Sequence, residues 1–298
     1  MRLVLLLLVL PSIAFGATAA FERVGGGARA AALGGHTVVL PDDDKALGSS
    51  PGRLVFAARS ASAQYDRIDP DVELWRGRVG VLVPMGRDLT EPLQTSHVHR
   101  NALGAALDVT SLTLIEGSAY REAAISLGGG VAPVGILGLG AVVRYERASS
   151  DFDAIEASAW GVDAGFALEL SDHIAGAIAI RNALGRATFE GGDDEDRAGE
   201  VTLGIGANHY RWWSAEVDYV YRDNATNAIA AGAEIHAVPG TLDLRAGVAS
   251  EEGPAGSRVV PSAGAGFAFA NWHLDYAFRS DKDGSLDAQH QVALTARF

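Results

Sequence analysis

The stretch NWHLDYAFRSD (271–281) decides the fold, because large apolar side chains alternate in it with polar and charged ones. Trp272 and Leu274 fall on one face of an extended chain, and Asp275 falls on the other. The segment VDYVYRD (217–223) shows the same period of two. These segments predict strands of a sheet that is apolar and aromatic on one face and charged on the other.

The distribution of charge and glycine indicates which kind of sheet this is. A soluble sandwich turns its charged face to bulk water and buries its apolar face in a core. A closed barrel in lipid is apolar outside and polar within. A face that carries charge and glycine together fits this arrangement better. The sequence therefore predicts an all-β fold: a transmembrane antiparallel β-barrel of about 14 strands with a short amino-terminal plug segment.

The amino terminus, MRLVLLLLVLPSIAFGATAA (1–20), combines one basic residue, Arg2, with a short apolar run and small residues. This pattern predicts a secretory signal peptide over residues 1–19, and cleavage after Gly16 or after Ala19 satisfies the small-residue rule equally. No other segment approaches 18 uninterrupted apolar residues, so membrane spans are expected only as strands. The predicted location is the outer membrane of a Gram-negative bacterium, after export.

Charge and cysteine content exclude several function classes. The net charge of −13 becomes −13 − 1 = −14 when Arg2 is removed with the signal peptide, which argues against a nucleic-acid partner. Cysteine is absent, so the chain has no disulfide, no thiol chemistry and no lipid-modified amino-terminal cysteine.

The segment between the signal peptide and the strands lacks period-two alternation. It contains an Ala-rich piece (28–33), the pair Gly34-Gly35, and an acidic run (42–44) suited to a helix start. We predict that residues 20–52 form a plug or cap in the barrel mouth and that residues 53–298 form the barrel.

This segment also carries a family resemblance. The order GAR (27–29), LGG (33–35), the acidic run with Ala46 and Leu47, and SPG (50–52) resembles the amino-terminal region of PorV/PorQ-like outer-membrane proteins. That family is related to the FadL long-chain fatty acid transporters, and the likeness continues weakly through the strands to the carboxyl terminus. The family's usual Asn-Pro-Ala-Gly-Leu reads Ser-Pro-Gly-Arg-Leu here, so the Asn is lost.

Fourteen strands are predicted, an even number as in single-chain bacterial barrels. They cover residues 53–65, 72–84, 101–114, 120–131, 134–147, 158–170, 173–183, 198–208, 213–222, 226–237, 240–249, 259–269, 271–280 and 287–298. Tight turns are predicted on one side of the barrel, at residues 132–133, 171–172, 210–211, 238–239 and 270–271. The connection 85–100 is long although it falls on that side, so it is either an insertion or a miscounted hairpin.

The carboxyl-terminal segment HQVALTARF (290–298) alternates like the other strands and ends on Phe298. Phe298 resembles the terminal aromatic that the outer-membrane assembly machinery recognises. A row of aromatic residues near the tight turns supports a membrane interface there: Tyr210, Trp212, Trp213 and Trp272. The expected partners are the assembly machinery, outer-membrane lipid and lipopolysaccharide (LPS).

The charged face is expected to line the lumen with residues of both signs. Its predicted members are Arg144, Glu146, Asp163, Glu169, Arg181, Glu216, Asp218, Glu234, His236, Asp243, Arg245, His273, Asp275 and Arg279. These side chains form either a salt-bridged lining around a plug or a solute pathway, and the predicted plug favours the lining.

No catalytic constellation, cofactor site or metal site is predicted, so a non-enzyme is expected. The resemblance implies a PorV-like role in secretion or surface attachment of proteins, with secreted cargo proteins as partners. The alternative is FadL-like transport of hydrophobic small molecules across the outer membrane, past the plug and through a lateral opening in the wall. A general porin is disfavoured by the predicted plug.

Overall fold

The computed structural model describes most of the chain beyond the predicted signal peptide. The described residues are 26–40, 43–69, 73–89, 98–113, 119–151, 155–190, 192, 194–209, 211–222, 227–253, 256–280 and 288–298. The predicted signal peptide, the middle of the 85–100 connection and Tyr210 lie outside them.

Strands account for most of these residues. They are β1 (Ser60–Asp69), β2 (Leu74–Asp88), β3 (His99–Thr113), β4 (Ala119–Val134), β5 (Leu137–Ser150), β6 (Ile155–Glu169), β7 (Ile174–Phe189), β8 (Glu195–Asp196), β9 (Glu200–His209), β10 (Trp213–Arg222), β11 (Ala228–Val238), β12 (Leu242–Gly253), β13 (Gly256–Phe269), β14 (Trp272–Arg279) and β15 (Gln289–Arg297). Among the described residues, the two-residue β8 pairs only with the far end of β7.

The other 14 strands form one closed antiparallel ring. Each pairs with its neighbours in sequence, and β7 pairs with β9 across the excursion that contains β8. The ring closes because β1 pairs with β15, from Ser60 opposite Arg297 to Arg67 opposite His290. Closure leaves no sheet edge, which satisfies the backbone hydrogen bonds of strands surrounded by hydrocarbon. The predicted β-barrel and its strand count are confirmed.

The two faces of the wall have the orientation that the alternation predicts. On β14, Trp272 is 49% exposed and Leu274 is 46% exposed, whereas Asp275 is 2% exposed. On β10, Tyr219 is exposed and Asp218 is buried. The outer surface is therefore apolar, as lipid contact requires, and the ionisable side chains point inward.

The amino-terminal residues 26–59, called here the inner segment, pack against the inner face of the wall. They form α1 (Ala28–Ala32), a 3-10 helix (Asp43–Lys45), α2 (Ala46–Ser49) and a second 3-10 helix (Pro51–Phe56). Alanine, leucine and valine side chains of this segment are fully buried against the strands. None of the helices in the described part of the chain is long and apolar enough to cross a bilayer.

Several predicted boundaries are wrong, among them the end of β7, which runs to Phe189 instead of residue 183. The first strand begins at Ser60 instead of residue 53, because residues 51–56 turn inward as a 3-10 helix. The turn predicted at 132–133 lies at 135–136, because β4 continues to Val134.

The long connection at 85–100 does not upset the strand count. β2 runs on to Asp88, β3 starts at His99, and these two residues face each other across the ladder. The two strands form a hairpin whose connection is residues 89–98, so no hairpin was miscounted.

The outer surface makes a first testable prediction. Leu127 lies at the middle of β4 and is 59% exposed. Leu127→Arg is expected to lower the free energy of unfolding by about 2–4 kcal/mol, because a charge at the bilayer midplane is costly. The control, Ser111→Arg near the loop end of β3, should cost about 0–1 kcal/mol. Urea titration in lipid vesicles measures both, and equally small losses would contradict the outward orientation.

Candidate functional site

The interior of the barrel contains the charged groups, beginning with a cluster on β11, β12 and β14. Glu234 faces Arg245 across the ladder, and their side chains form an ion pair. The Nη1 of Arg245 lies 2.5 Å from Oδ1 of Asp275, and Asp243 contacts both Arg245 and His236. Since these groups are enclosed, each charge is offset by a partner of opposite sign, as burial of charge requires.

Arg29 of α1 ties the inner segment to this cluster. Its Nε and Nη2 atoms donate to the two carboxylate oxygens of Glu234 at 3.0 and 2.9 Å, a bidentate arrangement. Its Nη1 donates to the carbonyl oxygen of Leu40, which holds the following loop against α1. Arg29 therefore links the first helix, the loop after it and the wall.

Glu216 on β10 binds the backbone of that same loop. Its carboxylate accepts hydrogen bonds from the N–H groups of Val38, Val39 and Leu40, at 2.7, 2.6 and 3.0 Å. These three donors lie outside the helices and strands, so Glu216 satisfies backbone groups that no helix or ladder reaches. The side chain is an anchor for the inner segment.

The second half of the inner segment is held on the opposite side. Lys45 donates to Oγ1 of Thr295 at 2.8 Å, and Ser62 donates to the carboxylate of Asp44 at 2.8 Å. Farther along, Nη1 of Arg53 lies 2.5 Å from Glu169 on β6. Polar anchors thus join the segment to strands all around the ring.

Glycines on the inner face let the backbone of the inner segment lie directly on the wall. A methyl group at Gly140 would fall 2.5 Å from the carbonyl carbon of Pro51, and one at Gly165 would fall 2.5 Å from the nitrogen of Gly52. Across the barrel, a methyl at Gly232 would fall 2.7 Å from Cα of Leu33. Side chains at these wall positions would displace the segment.

A second charged cluster lies on β5, β6 and β7. Arg144 contacts Asp163 at 2.7 Å and Glu146 at 3.2 Å, and it donates to Oδ1 of Asn182 at 2.6 Å. Arg197, from the excursion between β8 and β9, reaches inward to Glu146. This cluster fills the interior next to an irregular part of the wall.

The irregularity is in β7. Asn182 has a φ of 50°, and the β6–β7 ladder shifts register at this point. On its other side, β7 pairs with β9 only up to Arg181, opposite Glu200. Beyond Arg181 its ladder partners on that side are the two residues of β8, and Gly185 accepts a hydrogen bond from the N–H of Arg197. Direct pairing of β7 with β9 therefore ends where β9 begins, at Glu200, and this place is called the break; the excursion 194–199 lies against it.

A small cavity lies directly inside this break. It is lined by Gly48, Ser49, Pro51, Asp163, Ala179, Ile180, Arg181, Glu200 and Thr202. It has room for about one water molecule, so the inner segment and the wall are closely packed here.

The side chains of all 14 residues predicted to line the lumen are buried or partly buried inside the barrel. Nine are almost fully buried: Arg144, Glu146, Asp163, Glu216, Asp218, Glu234, Arg245, His273 and Asp275. The remaining five are partly buried: Glu169, Arg181, His236, Asp243 and Arg279. Their part in solute passage stays a prediction.

Sequence reasoning missed the residues of the inner segment that meet this face. Arg29, Asp44 and Lys45 gave no sign of their partners, because those partners lie far away along the chain. The sequence marked Asp44 only as part of an acidic run, and Arg29 only as a charge within an Ala-rich piece.

At the rim that carries the tight turns, Trp212, Trp213 and Trp272 are exposed on the outer surface, as an interfacial row requires. Phe298 is 67% exposed, and its N–H donates to the carbonyl oxygen of Arg59 at 3.1 Å, beside the start of β1. Recognition of Phe298 by the assembly machinery stays a prediction.

Comparison with known proteins shows what this architecture is similar to. No family model and no curated protein sequence matches the chain. The solved structure of the toluene transporter TodX of Pseudomonas putida superposes with a TM-score of 0.70 at 13% identity, over 93% of this chain and 99% of that one. This chain has the same barrel fold as that transporter.

Two further structures show the same likeness. A FadL homologue of Pseudomonas aeruginosa gives a TM-score of 0.68 at 13% identity, over 93% of this chain and 99% of that chain. The monoaromatic hydrocarbon channel CymD gives 0.64 at 13% identity, over the same shares of the two chains.

The close approach of the inner segment makes a second prediction. Gly140→Ala is expected to loosen residues 46–56 without unfolding the barrel, because the added methyl overlaps Pro51. Hydrogen exchange of these residues should be at least tenfold faster. The control is Gly176→Ala, where a methyl meets nothing closer than 3.7 Å. Unchanged exchange in the Gly140 variant would show that the segment does not rest on this wall.

Proposed function

We propose that this protein lies in the outer membrane and lets hydrophobic small molecules cross it. The fold likeness supports this most directly, since 93% of the chain superposes on proteins described as a toluene transporter and a monoaromatic hydrocarbon channel. These neighbours are transport proteins, which also fits a non-enzyme. The function is the alternative that the sequence left open.

The interior agrees with a channel that opens by movement. In the described residues, polar anchors hold the inner segment at separate points, including Glu216, Glu234 and Thr295. A solute crosses the barrel only when some of these contacts between the inner segment and the wall break. Because each contact is a single ion pair or a small group of hydrogen bonds, breaking one costs far less than unfolding the barrel.

The break between β7 and β9 is the best-supported exit. There a strand pairing ends, a residue has positive φ, and a cavity lies directly behind the wall. A lateral exit suits an apolar solute, since transfer from the wall into hydrocarbon is favourable and avoids the water beyond the barrel. The charged cluster around Arg144 closes this route until the excursion 194–199 and the inner segment move.

The PorV-like secretion role that the resemblance implied is less well supported. The solved structures reported above are described as channels or as a FadL homologue, none as a secretion component. No described surface has been linked to a cargo protein.

Uptake measurement is the direct test of the proposed function. A strain that lacks the gene should take up labelled toluene or labelled long-chain fatty acid several-fold more slowly than the complemented strain. Hydrophilic sugars should enter both strains at one rate, which controls for general permeability. Equal uptake of both hydrophobic probes would refute transport, and a changed surface proteome with unchanged uptake would favour secretion.

A variant in the cavity tests the route. Ala179→Leu is expected to reduce uptake severalfold, because the larger side chain fills the space between Pro51 and the wall break. Ala141→Leu adds the same volume on the lipid-facing surface of β5 and should leave uptake unchanged. Both variants must keep the heat-modifiable mobility of a folded barrel. If the folded Ala179→Leu variant took up the probes at the wild-type rate, the route would lie elsewhere.

A further inference from the structure

The outer surface carries basic residues where its apolar band ends on the loop side. On β15, β1, β4, β5 and β7, the apolar run of the outer face gives way to a basic side chain. These residues are His290, Arg67, Arg121, Arg147 and Arg186, and all are exposed. They are called the basic arc.

The pairing register shows that much of the arc is continuous. His290 faces Arg67 directly on the neighbouring strand, and Arg67 faces Trp75 on β2. The row continues through Ser111 on β3 to Arg121 on β4. Adjacent strands are about 4.8 Å apart, so Arg67 and Arg121 lie roughly 14 Å from each other along the sheet.

The arc occupies one side of the barrel. On β10, β12, β13 and β14 the corresponding outward positions near the loops are Tyr221, Ser250, Ser257 and Phe278, which carry no charge. Five basic residues on one arc are unexpected in a chain with a net charge of −13. The protein therefore presents a local positive surface at one depth of an otherwise apolar wall.

Acidic side chains near the arc neutralise it only in part. Glu156 lies 2.6 Å from Arg147, and both side chains are more than half exposed. Asp194 lies 3.1 Å from Arg186 in a similarly exposed pair. Glu73 lies at the start of β2 near Trp75. Exposed ion pairs contribute little to stability, so a stronger anion can replace the carboxylate.

Aromatic side chains lie beside the arc, on the side of the bilayer. The rings of Tyr65 and Trp75 stack with centroids 6.2 Å apart. The hydroxyl of Tyr276 lies 2.8 Å from Nδ1 of His290. Tyrosine and tryptophan are typical of the level where lipid headgroups meet the hydrocarbon. The basic groups are thus placed at headgroup depth.

We propose that the basic arc binds the phosphate groups of lipid A, the membrane anchor of LPS. The longer connections of an outer-membrane barrel face the outside, so the arc lies in the leaflet where lipid A presents its phosphates. Guanidinium groups bind phosphate with paired, charge-assisted hydrogen bonds, and Arg67 and Arg121 are placed to bind separate phosphates of one layer. The site depends on the location of the barrel, and it does not depend on what the barrel transports.

Binding is tested on the purified full-length barrel in detergent. Lipid A with both phosphates should raise the temperature of unfolding, because a ligand that binds only the folded state stabilises it. Arg67→Ser combined with Arg121→Ser should weaken binding at least tenfold. The control is Arg59→Ser combined with Arg211→Ser, which removes the same charge at the opposite rim and should bind as wild type does.

Two lipids separate lipid A from other sources of phosphate. Dephosphorylated lipid A should not stabilise the wild type, and phosphatidylglycerol should act equally on wild type and arc variant. If the arc variant bound lipid A as tightly as the control variant does, the proposal would be overturned. Stabilisation of the wild type by the dephosphorylated lipid would also overturn it. A phosphatidylglycerol effect that is lost in the arc variant would also overturn it. Hydrocarbon uptake should not change in the arc variant, so this result is independent of the transport test.

Discussion

The structure depends on one constraint: a strand surrounded by hydrocarbon must have every backbone N–H and C=O group paired within the protein. An open sheet of 14 strands would leave two edges without partners, and the pairing of β1 with β15 removes both. Closure also fixes the direction of each side chain. The alternating apolar residues meet lipid, and the alternating charged residues are enclosed. The chain needs no large apolar core of the soluble kind, because its apolar surface remains on the outside.

Enclosure of charge explains why the inner segment is shaped as it is. The buried carboxylates and guanidinium groups need partners, and the segment supplies several of them. Arg29 completes the Glu234 cluster, while the backbone at residues 38–40 provides three donors for Glu216. Wall glycines such as Gly140 and Gly232 allow the backbone of the segment to come close enough for these contacts. The interior is therefore filled by interlocking polar groups, and a route for solutes requires that part of this arrangement moves.

The alternation in the sequence was sufficient for the fold and for the direction of the charged face, since period two follows from strand geometry alone. Trp272 and Asp275 fell on the expected sides without knowledge of any contact. Side-chain contacts across the barrel could not be predicted from the sequence. Arg29 and Glu234 are 205 positions apart, and their meeting depends on closure and register. The start of the first strand was misplaced because the apolar stretch before Ser60 suits a strand locally. In the structure, glycines on β5 and β6 leave space in which Pro51 and Gly52 lie against the inner face of the wall. The basic arc was missed because its members become neighbours only when β15, β1 and β4 are aligned.

Orientation of the two faces is the central claim, and site-directed spin labelling of β10 in lipid vesicles tests it most directly. The chain has no cysteine, so a single cysteine introduced in turn at successive positions 216–221 gives a clean scan. Labels at positions 217, 219 and 221 should collide with oxygen dissolved in the hydrocarbon. Labels at positions 216, 218 and 220 should be reached poorly by oxygen, because these side chains are buried inside the barrel. Preferential access of oxygen to position 218, with a water-soluble nickel complex reaching position 219, would contradict the account.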